Sequence, residues 1–305
     1  MSNGAAAGLT LATAACIAGD DPALIARLPI DLEGLKSEVV VHRMHRIWYD
    51  QAVRNAGARL IEIGHSYETQ KWELDAAITD RTAAVLYVAG GHLARNTLPI
   101  EYVIERAHAR GVPVIVDAAA QGPPGSNLWH FTRDLGADVA IFSGGKNLRG
   151  PQNSGLVVGT EEMIRRIRFI GPPNQRFGRS LKVGKETMIG LLKAVERYVS
   201  LDHDALWQEW SGVVDQWMSA WSPSGMVTRS DTNEAGEPIP RVIMRFQSRE
   251  ARDQAIADLR GGDPPITVVL SDSISIAFSP HLLLPGQAQI VETKVLTNLG
   301  ITMQV

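Results

Sequence analysis

Six short β-branched and apolar runs constrain the fold of this chain more than any other feature: Val39–His42, Arg59–Ile63, Ala83–Ala89, Pro113–Asp117, Val139–Ser143 and Leu156–Val158. Most are near-continuous rather than alternating, the pattern of strands covered on both faces by helices. Helical patterns lie between them, over Ala5–Ala18, His45–Ala56, Pro99–Arg110 and Leu128–Leu135. Pro99 suits the first turn of its helix and Gly111 the position just past the end. Strand and helix in repeated alternation predict an α/β fold with a mainly parallel sheet flanked by helices.

The pattern changes after Gly159. Glu161–Ile170 reads as a basic helix that Pro172-Pro173 ends. Lys185 to Trp221 reads as one long helix with Leu191, Leu192, Val195 and Tyr198 on one face. The stretch Ser222–Pro240 is polar and turn-rich. Strands over Arg241–Phe246 and Ser273–Phe278 flank a helix over Arg249–Arg260, and a last helix runs over Gly286–Leu299. The expectation is a large α/β domain over residues 1–184, then a long connecting helix and a smaller α+β domain over 185–305. A chain of 305 residues is long enough for both.

Charge and cysteine content narrow the function. The net charge is −3 and there is no basic run, so nucleic acid is not an expected partner. Cys16 is the only cysteine, which excludes an internal disulfide, leaves no cysteine set for zinc, and fits a reducing cytoplasm. The apolar segment Ala5–Ala18 falls short of the ~20 residues that span a bilayer and reads as a core helix.

Two strand ends carry the chemistry. Val114-Ile115-Val116-Asp117 places a carboxylate at the end of a buried parallel strand, where open α/β sheets bind ligands. The run Val139 to Ser143 ends in Ser143-Gly144-Gly145-Lys146, with two glycines that allow close backbone approach and a lysine able to act as an amine nucleophile. An amine and a carboxylate facing one crevice are what pyridoxal phosphate needs: Lys146 for a Schiff base, Asp117 to keep the pyridine nitrogen protonated. Asn3-Gly4-Ala5 opens the first helix, whose free N–H groups suit a phosphate, and Ser143 offers a further hydroxyl.

The run from Phe142 to Gly159, including Lys146-Asn147-Leu148-Arg149-Gly150-Pro151-Gln152, resembles the selenocysteine synthase family of fold-type I pyridoxal phosphate enzymes. That family includes L-seryl-tRNA selenium transferase and D-glucosaminate-6-phosphate ammonia-lyase. Asp117-Ala118-Ala119-Ala120-Gln121 resembles the ammonia-lyase branch, and Arg179 to Lys185 resembles the family's basic stretch. The resemblance implies Lys146 as the Schiff-base lysine, Asp117 as the pyridinium partner and Gln121 near the ring edge. It implies His45 as the residue stacked on the ring, with His42 competing for that place. It implies Arg149, Arg179 and Lys182, with Lys185 beside them, as contacts for an acidic substrate group. It also implies a homodimer or higher homo-oligomer, to which surface on Trp207, Trp210, Trp217 and Trp221 would contribute. Family members carry a segment before the Gly-Ala helix start, so a shortened N-terminal region and a substrate other than tRNA are expected.

The expected activity is that of a lyase: α-proton removal from a small hydroxy amino acid or amino sugar acid, loss of the β-hydroxyl, then release of ammonia. A racemase, aldolase, aminotransferase or selenium-transferase-like reaction uses the same carbanion. A non-catalytic subunit of the same fold is the alternative outside catalysis.

Overall fold

The computed structural model describes residues 1–298. Two compact units divide at Leu201/Asp202. In the first, strands β1 (Glu38–His42), β2 (Arg59–Ile63), β3 (Thr82–Val88), β4 (Val114–Asp117), β5 (Val139–Ser143) and β6 (Gly155–Gly159) form one sheet in the order β2-β1-β3-β4-β5-β6. Pairing is parallel except between β5 and β6. The loop between these two carries no crossover helix, so the chain returns antiparallel.

Every residue of β1, β3 and β4 is buried. Alternate residues serve the two faces. Val39, Val41, Leu86, Ile115, Val139 and Ile141 pack with Leu9 and Leu11 of the first helix (Gly4–Ala18). Val40, Val85, Val114, Val116, Ala140 and Phe142 pack with Leu74, Val103, Ile104 and Leu191 on the other face. The near-continuous apolar runs are thus double-sided strands, as the sequence suggests.

Gly8 sets how closely the first helix approaches the sheet. A Cβ there would stand 2.9 Å from Ile141 Cγ2 and 3.1 Å from Val157 Cγ2. The helix therefore lies on β5 and β6 with its N-terminus at the edge where Ser143 emerges.

Several expectations shift. The region His45–Ala56 is not one helix but two 3-10 turns, Arg43–His45 and Trp48–Asp50, followed by the short helix Gln51–Arg54. Extended backbone at Ile47 breaks it, and buried Asp50 draws in Arg46 at 2.6 Å and Arg54 at 3.0 Å. Pro99 is the N-cap of Ile100–His108 rather than part of its first turn. The region from Leu128 to Leu135 holds only the short helical turn Asn127–Trp129 and a π-turn over His130–Asp134. The long helix divides into Lys185–Ser200 and His203–Trp221, because Leu201 is extended and the Asp202 carboxylate caps the second helix through Ala205 N–H at 2.9 Å. Leu191, Ala194 and Tyr198 bury their side chains in the first unit, so the boundary falls after Leu201 rather than after residue 184.

The second unit has its own sheet, in the order β7-β8-β10-β9, with β7 Val227–Ser230, β8 Arg241–Arg245, β9 Val269–Leu270 and β10 Ser275–Phe278, all antiparallel. Strands β7 and β9 lie in stretches too short or too polar to stand out in the sequence. The last helix is Gln287–Asn298, and Leu299, expected at its end, lies outside the described residues. Trp217 and Trp221 stack at 5.2 Å in the core, and their indole N–H groups donate to the Ala288 and Glu292 carbonyls. These two tryptophans offer no surface to a partner. Among the described residues no helix is long and apolar enough to cross a membrane.

Two glycines test this account with opposite signs. Gly8→Val is expected to destabilise the protein by about 1–3 kcal/mol through overpacking. Gly212→Ala, exposed within His203–Trp221 with open space around its Cβ position, is expected to stabilise by about 0.5–1 kcal/mol. Urea unfolding followed by circular dichroism measures both.

Candidate functional site

Asp117 ends β4. It lies opposite Val88 of β3 on one side and Ile141 of β5 on the other. Its backbone joins both neighbours: the Asp117 carbonyl accepts from Ala89 N–H, and Ala118 N–H donates to the Ile141 carbonyl, each at 2.9 Å. The carboxylate is 5% exposed and accepts from Ala119 N–H at 3.1 Å. Burial raises its pKa from the ordinary carboxylate range, while the Ala119 N–H and the positive charge of Lys146 oppose the rise. The lysine therefore lies within electrostatic reach of the acid.

The loop after Ser143 holds Lys146 by its backbone. Gly144 N–H donates to the Ser154 carbonyl at 2.8 Å, Arg149 N–H to the Lys146 carbonyl at 2.8 Å, and Gly150 N–H to the Gly144 carbonyl at 2.7 Å. Glycine is required at the turn itself. A Cβ at Gly144 would stand 2.0 Å from Ser154 Oγ, and one at Gly145 would stand 2.6 Å from Gln152 Cα. The segment after Asp117 touches the same loop, because a Cβ at Gly122 would fall 2.2 Å from Asn147 Cβ. The Lys146 side chain is exposed while its loop is fixed.

The first helix begins beside this loop. Ser2 and Gly155 exchange two backbone hydrogen bonds of 2.9 Å, and Gly155 pairs with Ser143 across β5 and β6. Asn3, Gly4 and Ala5 are thereby fixed next to half-buried Ser143. The helix has no side-chain cap, and its first N–H groups have no partners within the helix. Around Gly4, at φ 79°, the space a Cβ would take is open to 4 Å. Ser2 is a neighbour of the candidate site that the sequence does not reveal, since an isolated bridge leaves no periodic signal. Asn147 and Gly122 were missed likewise, because their contact joins distant segments.

A buried acid, a solvent-facing amine and an open helix N-terminus at adjacent strand ends fit pyridoxal phosphate in donor chemistry. Other expected residues are placed differently. Gln121 is half-buried, with its backbone N–H and its side-chain Nε2 both donating to nearby carbonyls, Ala118 and Ala120. His45 has no exposed surface. Its Nδ1 accepts from Val88 N–H at 3.3 Å, and its ring meets His42 and Tyr87 edge-on at 4.8 and 4.5 Å. Burial and then the neighbouring His42 push its pKa down to about 3, with the Leu93 backbone opposing. Burial pushes His42 down to about 4, and its Nε2 accepts from Leu98 N–H at 3.3 Å. Both histidines are neutral core residues joining β1 to β3, with no open ring face for the stacking expected of them.

The basic residues also separate. Arg149 is exposed at φ 55°, three residues from Lys146. Arg179 and Lys182 are exposed on and just after the turn Phe177–Leu181, which meets Leu11 of the first helix through Gly178. Arg179 Nη1 donates to the Pro173 carbonyl at 2.8 Å. Lys185 is exposed at the start of its helix.

Comparison with known proteins agrees with this arrangement. The family model described as L-seryl-tRNA selenium transferase matches residues 44–209. The chain is 34% identical over 269 residues to D-glucosaminate-6-phosphate ammonia lyase of Salmonella typhimurium (strain 14028s / SGSC 2262), covering 85% of this chain and 69% of that one. It is 33% identical over 276 residues to 5'-C-glycyluridine monooxygenase-decarboxylase of a Streptomyces species, covering 86% and 66%. It thus spans about two thirds of the length of both relatives. A solved structure of D-glucosaminate-6-phosphate ammonia-lyase superposes with a TM-score of 0.78 at 29% identity, over 98% of this chain and 80% of that one. With its double-sided parallel sheet and its Asp117–Lys146 strand ends, the chain belongs to the selenocysteine synthase (L-seryl-tRNA selenium transferase) family of fold-type I pyridoxal phosphate enzymes.

Proposed function

We propose that Lys146 holds pyridoxal phosphate and that the chain is a lyase acting on a small β-hydroxy amino acid or amino sugar acid. One observation carries this reading: a buried carboxylate, Asp117, lies within electrostatic reach of the exposed amine of Lys146 at the end of the neighbouring strand. The N–H groups at Asn3, Gly4 and Ala5 and the Ser143 hydroxyl would hold the phosphate. Asp117 would hold a proton at the pyridine nitrogen, and Gln121 lies beside it on the same segment. When bound, the cofactor supplies an electron sink for negative charge at the substrate's α-carbon.

The chain's own groups do the rest. Lys146 Nζ, as a free amine, would take the α-proton and return a proton to the departing β-hydroxyl, which would leave as water. Uptake of one water by the resulting unsaturated amine, through its imine form, would then give a keto acid and ammonia. Arg179 and Lys182 offer positive charge to a carboxylate or phosphate on the substrate. The similarity to D-glucosaminate-6-phosphate ammonia lyase makes a phosphorylated amino sugar acid the first substrate to try. The nearly equal identity to a monooxygenase-decarboxylase supports a second reading, loss of the α-carboxylate on the same scaffold, which product analysis separates from ammonia release.

A homodimer or higher homo-oligomer belongs to this reading. Trp48, 96% exposed, and Tyr49 follow β1; Tyr67, 81% exposed, and Trp72 follow the neighbouring β2. Large aromatics left in solvent at one end of a sheet are a surface that needs a cover. A cytoplasmic location is part of the proposal, supported by the single cysteine, Cys16, half-buried and with its thiol pKa pushed up to about 12 by desolvation.

Lys146→Ala is expected to remove the absorbance of the bound cofactor and to lower turnover on the order of a thousandfold. A cofactor spectrum and product assay on this variant that match wild type would overturn the assignment. Asp117→Asn is expected to cost about a hundredfold in turnover yet stabilise the cofactor-free protein at neutral pH. The sign follows from the raised pKa: the fold favours the protonated acid, so its charge costs stability above the folded pKa. The gain is expected to vanish below the ordinary carboxylate range, where both folded and unfolded wild type carry the proton; urea midpoints across pH check this. Sedimentation velocity is expected to give a dimer or larger, with Trp48→Asp shifting it toward monomer.

A further inference from the structure

Ser154 closes the loop that carries Lys146, and it does so from full burial, with no exposed surface. Its carbonyl accepts from Gly144 N–H at 2.8 Å, two residues before the lysine, and the Gly144 carbonyl in turn accepts from Gly150 N–H at 2.7 Å. Its hydroxyl donates to the Pro151 carbonyl at 2.6 Å, the oxygen that Ser154 N–H also reaches at 3.1 Å. Pro151 is braced from behind, because a Cβ at Gly190 of the helix Lys185–Ser200 would stand 2.6 Å from Pro151 Cγ. The hydroxyl oxygen lies against the turn itself, 2.0 Å from the place a Cβ would take at Gly144. The next residue, Gly155, exchanges backbone hydrogen bonds with Ser2, and the buried Ser2 hydroxyl donates to the Gly4 carbonyl at 2.8 Å.

A serine hydroxyl bonded to the carbonyl three residues back is a common way to close a turn. Two observations give this one more to do. A fully buried hydroxyl costs desolvation that an alanine methyl in the same place does not, so its single strong bond is a device rather than filler. The turn it closes is also the base of the lysine loop, and the adjoining Gly155 holds the start of the first helix.

We propose that Ser154 is a positioning residue: its hydroxyl fixes the loop from Gly144 to Pro151 so that the Lys146 amine keeps one place relative to Asp117 and the helix N-terminus. It acts through the loop and not on the reacting atoms. The proposal rests on the reading of Lys146 as the cofactor lysine. An exposed lysine side chain is directed only through its backbone, and a looser loop spreads the amine over a larger volume. Misplacement of a reacting group by about 1 Å costs on the order of a hundredfold in rate.

Ser154→Ala is compared with wild type, first without cofactor. Hydrogen exchange followed by NMR is expected to run about fivefold faster at the Gly144 and Gly150 amides, as the loss of one net hydrogen bond gives, with the amides of Val139–Phe142 unchanged. After loading with pyridoxal phosphate, absorbance measures occupancy. Per bound cofactor, the induced circular dichroism is expected to fall, and kcat to drop roughly tenfold while KM stays within about twofold. A merely structural role would lower the thermal midpoint and leave dichroism and kcat per loaded site unchanged. Unchanged loop exchange, or unchanged dichroism together with unchanged kcat, overturns the positioning role. A wild-type chain that takes up no cofactor overturns the Lys146 reading instead, and the loop exchange alone then judges Ser154.

Discussion

Parallel pairing of β4 with β5, with Asp117 opposite Ile141, is the constraint on which the site depends. It puts a carboxylate in a dry place one strand away from the lysine loop. An ion buried without a partner costs several kcal/mol. Ala119 N–H and the charge of Lys146 offset only part of that cost, and the carboxyl remains shifted toward its protonated form. A fold that tolerates such a group has a use for it, and a cationic ring nitrogen is a partner that would hold its charge.

The antiparallel return of β6 has a second consequence. Because the chain turns back through Gly144 to Ser154, Lys146 lies on a loop clamped at both ends by strands rather than on a free connection. The same return puts Gly155 where Ser2 can bridge it, and so fixes the first helix beside Ser143. Three features far apart in sequence, the helix start, the acid and the amine, meet because one sheet edge collects them. The Lys146 side chain is exposed, while the backbone beneath it is tied by hydrogen bonds from Gly144, Arg149 and Gly150 N–H.

The histidine pair shows how far a motif reading carries. His42 and His45 stand at the end of β1, where a ring-stacking role is a reasonable expectation. Burial decides otherwise: each ring nitrogen that accepts a backbone N–H ties β1 to the β3 region, and desolvation keeps both rings neutral. The long helix fails as a single element for a local reason. Leu191 to Tyr198 and Val214 to Trp221 both show helical apolar spacing, but they serve different cores, and Asp202 starts the second helix with its own cap.

By itself the sequence determined the double-sided sheet, since only strands covered on both faces tolerate near-continuous apolar runs. It also marked Asp117 and Lys146 as strand-end residues and Gly4 as a helix start, because those signals are local. Tertiary structure decided what those signals meet. The Ser2–Gly155 bridge, the Gly122–Asn147 approach and the burial of His45 all join residues distant in the chain or depend on which face is covered. No periodicity records such contacts, because they arise only when the sheet has closed and the helices lie against it.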